Sequence, residues 1–139
     1  MSRKVFITGS RNIKRFTDDI TNVLKSIRDN NDSVLIGDAA GIDELAQKYF
    51  KLFRYNNVAV YCANGKPRHN VGDFPVVNIE TMARGREYYG KKDIAMADEC
   101  DYAIAIWDGY SRGTKENIDR VKELGKPITV IICGKSALI

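Results

Sequence analysis

Apolar positions along this 139-residue chain gather into short runs separated by longer amphipathic stretches. The runs are Lys4–Thr8 (KVFIT), Ser33–Ile36 (SVLI), Val58–Cys62 (VAVYC), Asp101–Trp107 (DYAIAIW) and Ile128–Cys133 (ITVIIC). Continuous β-branched and aromatic runs of this length predict strands covered on both faces. Between them the period changes. Ile20, Val23, Leu24 and Ile27 recur at helical spacing, behind Thr17 as an N-cap and two first-turn acids, Asp18 and Asp19. Leu45, Ala46, Tyr49, Phe50 and Phe53 mark one face of a second helix starting at Ile42. A third helix is expected over much of 82–99. A fourth is expected from about Lys115 to Leu124, stopped by Gly125-Lys126-Pro127.

Strands alternating with helices predict an α/β domain: a three-layer, Rossmann-like, doubly wound fold around a mainly parallel sheet of five strands. No repeat or linker divides residues 1–139, and the length suits one core. The stretch Asn64–Thr81, rich in Gly, Pro and Asn, is expected to be irregular and functional rather than idle. The residues after Cys133 read as a short tail.

Composition changes this picture little. Twenty-two Lys and Arg against eighteen Asp and Glu leave a net charge of +4, which suits an anionic ligand without arguing for DNA. Aromatic and basic residues do not interleave as in a single-strand binder, so nucleic acid is not an expected partner. The three cysteines, Cys62, Cys100 and Cys133, show no ligand spacing, and His69 is the only histidine. The expectation is buried, reduced thiols, with no zinc and no disulfide framework. No apolar run approaches the roughly 20 residues of a membrane span. Met1-Ser2-Arg3-Lys4 leads straight into the first strand, which leaves no room for a signal peptide. A cytoplasmic location and no membrane partner are expected.

Candidate chemistry concentrates in three loops that follow strands and so share one rim of the sheet. These are Gly9-Ser10-Arg11, Gly37-Asp38-Ala39-Ala40-Gly41 and Asp108-Gly109-Tyr110-Ser111-Arg112-Gly113-Thr114. Glycines let main-chain N–H groups approach an anion, and a helix N-terminus adds unpaired donors and the positive dipole end. Ser10, Ser111 and Thr114 supply hydroxyls, and Arg11 and Arg112 supply charge. The loops match neither GxGxxG nor the P-loop, since Gly113-Thr114-Lys115 reads GTK. No metal and no resident cofactor is called for.

Ile7–Arg11, Gly37–Asp43 and Asp101–Thr114, taken together and in order, resemble the SLOG superfamily, in its YspA/YpsA-related branch. The resemblance covers nearly the whole chain, and WDGxSxGT is its most specific part. It implies a nucleotide or nucleotide-derived ligand, of the ADP-ribose type or cyclic, bound by a sensor or sequestering module. It also implies a homodimer in a bacterial or phage setting. Gly9, Ser10 and Arg11 match the first phosphate-side loop. Gly37, Gly41 and Asp43 match the second. Asp108, Gly109, Ser111, Gly113 and Thr114 match the loop that holds a nucleotide phosphate in the LOG phosphoribohydrolases. Those enzymes carry a glutamate in GTxxE, where this chain has Asn117. They also carry an arginine four residues before a methionine in the preceding helix. Counted back from Met96, that position is Lys92. With both changed, binding without turnover is the leading expectation. The alternative is a nucleoside 5'-monophosphate N-glycosidase using Glu116, one residue early and about 100° around the helix. A DprA-like nucleic-acid binder ranks last.

Several residues keep two readings. Asp43 is a dipole-complementing acid or bonds to ribose or to the neighbouring loop, and Asp108 shapes its loop or contacts ligand. Lys92 meets a phosphate or, with Lys91, forms a solvated face. Arg84, Arg86, Tyr88 and Tyr89 form a lid over a base or ribose, or else an interface or plain surface. His69 is expected to be a surface residue, and Trp107 to pack at the core or rim.

Overall fold

The computed structural model describes residues 3–82 and 86–133, with the side chains of 86–89 left out. Six strands and four helices follow in chain order: β1 (Lys4–Gly9), α1 (Asp18–Asp29), β2 (Ser33–Ile36), α2 (Ile42–Leu52), β3 (Val58–Ala63), β4 (Val76–Ile79), α3 (Arg86–Glu99), β5 (Tyr102–Trp107), α4 (Arg112–Glu123) and β6 (Ile128–Ile132). All strand pairs are parallel, in the order β4-β3-β2-β1-β5-β6.

Successive strand residues point to opposite faces, so the continuous apolar runs feed two cores. Val5, Ile7, Val34, Ile36, Val60, Ile104 and Ile106 pack with Ile20, Leu24 and Ile27 of α1 and with Leu45, Tyr49 and Phe50 of α2. Phe6, Leu35, Tyr61 and Ala103 pack on the other face with Met96 and Ala97 of α3 and Val121 of α4. Three layers result. The cap expected at α1 is present, with Ile20 N donating to Thr17 Oγ1 at 3.3 Å. Helix α4 begins three residues before the expected Lys115, which places Gly113 and Thr114 in its first turn.

The sheet has six strands rather than five. The sixth, β4, lies inside the stretch expected to be irregular and pairs with β3 from Val60↔Val76 to Ala63↔Ile79. Its connection lacks the helix that parallel crossovers usually carry. Side chains do the bracing instead. Asn64 and Thr81 exchange two 2.7 Å hydrogen bonds, and Asn70 exchanges two 2.9 Å bonds with Phe74. The expected tail, 134–139, lies outside the described residues.

Cys62, Cys100 and Cys133 are buried and form no disulfide, and burial pushes each thiol up from its ordinary range. Among the described residues, no helix is long and apolar enough to cross a membrane.

Candidate functional site

Chain order reverses at β1: β2 lies on one side and β5 on the other. A doubly wound sheet opens a crevice at such a switch point, outside the carboxyl ends of its strands. Here the crevice is a cleft of about 570 Å³. Its walls come from the end of β1, the β2–α2 loop, the face of α3 and the first turn of α4.

Of the residues singled out in the sequence, Gly9, Arg11, Gly37, Asp43, Lys92, Ser111, Arg112, Gly113, Thr114 and Glu116 line this cleft. Ser10, Gly41, Asp108 and Gly109 lie outside its lining and hold its walls in place. Ser10 is fully buried. Its Oγ accepts from Asp108 N at 2.9 Å and its carbonyl accepts from Ile42 N at 3.2 Å, so one serine joins all three loops. Gly41 has φ +79°, and a Cβ there would lie 2.4 Å from the Ser10 carbonyl oxygen. Only glycine permits that approach. Asp108 is a loop-shaping residue. It accepts from the Tyr110 and Ser111 amides and from Ser111 Oγ, each at 2.8 Å. Burial raises its carboxyl, but those bonds outweigh it and hold the group below the usual carboxylate range. Trp107 donates from Nε1 to the Ser111 carbonyl at 3.0 Å and packs at the rim.

This scaffolding aims the N-terminus of α4 into the cleft. The first turn holds no acid, and Ser111, at the cap, turns its hydroxyl to Asp108 instead of to the helix. The early amides therefore keep their donor capacity and the dipole its positive end. Arg11, Lys14, Arg68, Lys92 and Arg112 line the same cleft against Asp43, Asp93 and Glu116, five cations to three acids.

The floor is a buried charged cluster. Lys92 is 4% exposed, so it is no part of a solvated face. Its Nζ donates to Asp93 Oδ1 at 3.0 Å. Burial works against the ammonium, yet Asp93, Asp43 and Asp38 outweigh it and the proton is held more tightly than on an ordinary lysine. Asp43, in the first turn of α2, accepts from Ala39 N at 3.1 Å. Burial pushes its carboxyl up to about 7, with Lys92 opposing and Asp93 and Asp38 adding to the shift. Gly37 leaves room for this pair: a Cβ there would fall 2.7 Å from Asp43 Oδ2 and 2.9 Å from Lys92 Nζ. Asn117 is also buried. Its amide donates to Thr8 Oγ1 at 2.9 Å and to Asp93 Oδ2 at 3.2 Å, and its Oδ1 accepts from Arg120 at 2.7 Å. Glu116 sits one residue earlier, exposed at the cleft edge.

Asp93, Arg68 and Gln47 were not singled out in the sequence. Arg68 clamps the Asp38 carboxylate through its own amide and NH2 at 2.8 Å and Nε at 3.3 Å. Burial raises the Asp38 carboxyl, but the Arg68 bonds prevail and lower it. Gln47 is fully buried. It donates to the Gly37 and His69 carbonyls at 3.0 and 3.1 Å and accepts from Val71 N at 3.0 Å. His69 is half-buried rather than a plain surface residue, with Nδ1 at 3.0 Å from the Asp38 carbonyl oxygen. The 64–75 connection is thereby fastened to the cleft wall. Arg84 and the side chains of Arg86, Tyr88 and Tyr89, considered as a lid, lie outside what is described.

Fold and site together define a doubly wound α/β domain with a charged cleft at its switch point. Comparison with protein-family models, curated proteins and solved structures finds no match for this chain.

Proposed function

We propose that this chain is a SLOG-type domain that binds a nucleotide or nucleotide-derived ligand, with the phosphate at the N-terminus of α4, and acts as a sensor or sequestering module. One observation carries the reading. The acid-free first turn of α4 opens into a switch-point cleft together with Arg11, Lys14 and Arg112. Helix donors and guanidinium groups converging on one space are the recognition chemistry of a phosphate. The adjoining carboxylates, Asp43 and Asp93, are suited to accepting hydrogen bonds from ribose hydroxyls. Three thiols outside any disulfide fit a reducing, cytoplasmic setting.

Mass spectrometry tests this. Pure protein is incubated with nucleoside monophosphates, NAD, ADP-ribose, its cyclic forms and cyclic dinucleotides, then washed and denatured. Retention of one intact compound, lost in Arg112→Ala, is the expected result. Equal recovery of every compound from parent and variant overturns it.

A second reading, N-glycosidic hydrolysis, is favoured by the setting of Asp93. Asn117 occupies the position where the LOG pattern has glutamate, and it presents a carboxylate from α3 instead. Asp93 is held by Lys92 and Asn117, and its side chain is 23% exposed and lines the cleft. In this reading the C1'–N bond breaks with its electron pair on the base, which takes a proton. Water adds to C1' and loses its proton to Asp93. Free base and ribose phosphate in solution, abolished by Asp93→Asn and retained in Glu116→Gln, is the result this version requires.

A further inference from the structure

Away from the cleft, on the outer side of α1 and α2, lies a second groove of about 740 Å³. Phe16, Tyr49, Leu52 and Phe53 form its apolar lining. Leu52 is 75% exposed, Phe53 45% and Phe16 43%, so large apolar side chains stand together at this surface. Both helices bury their inner faces against the sheet, and core packing does not account for the outer one. The groove shares no lining residue with the cleft, so what it binds is a separate matter from the ligand reading above.

The charge lining this groove has one sign. Lys25, Arg28 and Lys48 line it with the apolar residues, and among the described residues no acid does. Asp29 and Glu44, which pair with Lys25 at 2.7 Å and Lys48 at 3.5 Å, stand outside the lining. Along the chain each exposed apolar residue has an exposed cation beside it: Arg15 before Phe16, Lys51 before Leu52 and Arg54 after Phe53. Those three cations form no ion pair among the described residues. Arg28 is half-buried, its guanidinium 4.0 Å from the Phe53 ring centroid and 5.8 Å from that of Tyr49. Stacking holds that charge at the groove wall without neutralising it.

We infer that this groove docks an acidic amphipathic helix of a partner protein, with Leu- or Phe-type side chains along one face and Asp or Glu flanking them. The apolar stripe of such a helix fills a hydrophobic groove, and its flanking carboxylates meet Lys25, Arg28 and Lys48. Charge complementarity selects this occupant. A second copy of the chain would set these cations against their own kind. An anionic bilayer satisfies the charge but is flat. Tyr49, only 6% exposed, lines the groove where a flat surface does not reach and an inserted side chain does.

Selection from a displayed library of random peptides tests the assignment, with peptides of about 16 residues, long enough to form a helix on docking. The parent chain is the bait, and Leu52→Asp in excess is the competitor. Enriched sequences are expected to carry more Asp and Glu than Lys and Arg, with bulky apolar residues at helical spacing. The strongest binder is then synthesised and titrated by fluorescence anisotropy. Leu52→Asp and Lys48→Glu should each raise its dissociation constant about tenfold or more, and Ile132→Asp, on the far sheet edge, should leave it unchanged. Added salt should weaken the parent's binding. Circular dichroism confirms that each variant is folded, and either groove variant suffices if the other is not. No enrichment, enrichment of basic or uncharged sequences, or a binder that survives both groove variants overturns the inference. So does a parent that sediments with phosphatidylserine vesicles and loses this in Leu52→Asp, which assigns the groove to a membrane. A dimer that Leu52→Asp dissociates overturns it in favour of a second copy.

Discussion

Asp43 is the residue whose chemistry depends most on its place in the fold. An isolated aspartate titrates near 3.8, and burial at the cleft floor pushes this one up to about 7. Between those values the folded protein binds a proton that the unfolded chain does not. Stability from this group is therefore greatest at low pH and declines as pH rises from about 4 to about 7. Asp43→Asn removes that slope. Its thermal midpoint should exceed the parent's at pH 8, and the gap should close toward pH 4; parallel pH–midpoint curves would refute the assignment. Binding should follow the same titration. Ionised Asp43 adds negative charge beside a phosphate, so affinity falls as pH rises through 7 in the parent and stays flatter in Asp43→Asn. Little of this was legible in the sequence. Asp43 stood out by its loop, but Lys92, which favours its ionisation against the effect of burial, lies 49 positions away. Asp93 was missed because its role depends on Asn117, 24 residues further on, and no local pattern announces such a pairing.

At the scale of elements, the strand-end loops were legible because their glycines and hydroxyls are local signals. What each residue does was not. Ser10 and Asp108 read as phosphate ligands or loop formers, and the fold spends both on joining β1, β5 and α4. Two glycines separate these roles. Gly41→Ala forces a positive φ on a residue whose Cβ meets the Ser10 carbonyl, and should cost about 2–4 kcal/mol of stability, read by denaturant unfolding. At Gly113 a Cβ meets nothing, and the residue lies in the helical first turn of α4. Gly113→Ala should leave the unfolding midpoint within about 0.5–1 kcal/mol of the parent while reducing ligand retention, because the new methyl stands in the cleft. Loss of stability at Gly113 equal to that at Gly41 would show that the α4 entry is scaffold alone. Strand β4 escaped the sequence reading for an equally physical reason. Val76–Ile79 is four residues long, follows Pro75, and is reached by a connection with no helical period, so nothing local separates it from a loop.

For the molecule as a whole, the alternation of continuous apolar runs with amphipathic ones was enough to read a three-layer, parallel, doubly wound sheet, since each run must feed a core on both faces. The strand order, which the structure supplies, reverses at β1 and sets the place where the walls part. The cleft draws residues from both helical layers: Asp43 from α2 on one side of the sheet, Lys92, Asp93, Gly113 and Thr114 from α3 and α4 on the other. A ligand held there ties both layers to the central strands, so its binding energy appears as stability of the entire domain rather than of one loop. At a free concentration 100 times the dissociation constant, the gain is about 2.7 kcal/mol, or roughly 10 °C in thermal midpoint for a chain of this size. Amide exchange should slow together in α2, α3 and α4, not in α4 alone. A ligand that raises the midpoint while protecting only the first turn of α4 would be an anion resting on a helix end. Protection across both layers is the signature of a molecule that fills the cleft, with phosphate at the rim and a polar ring against the carboxylates of the floor.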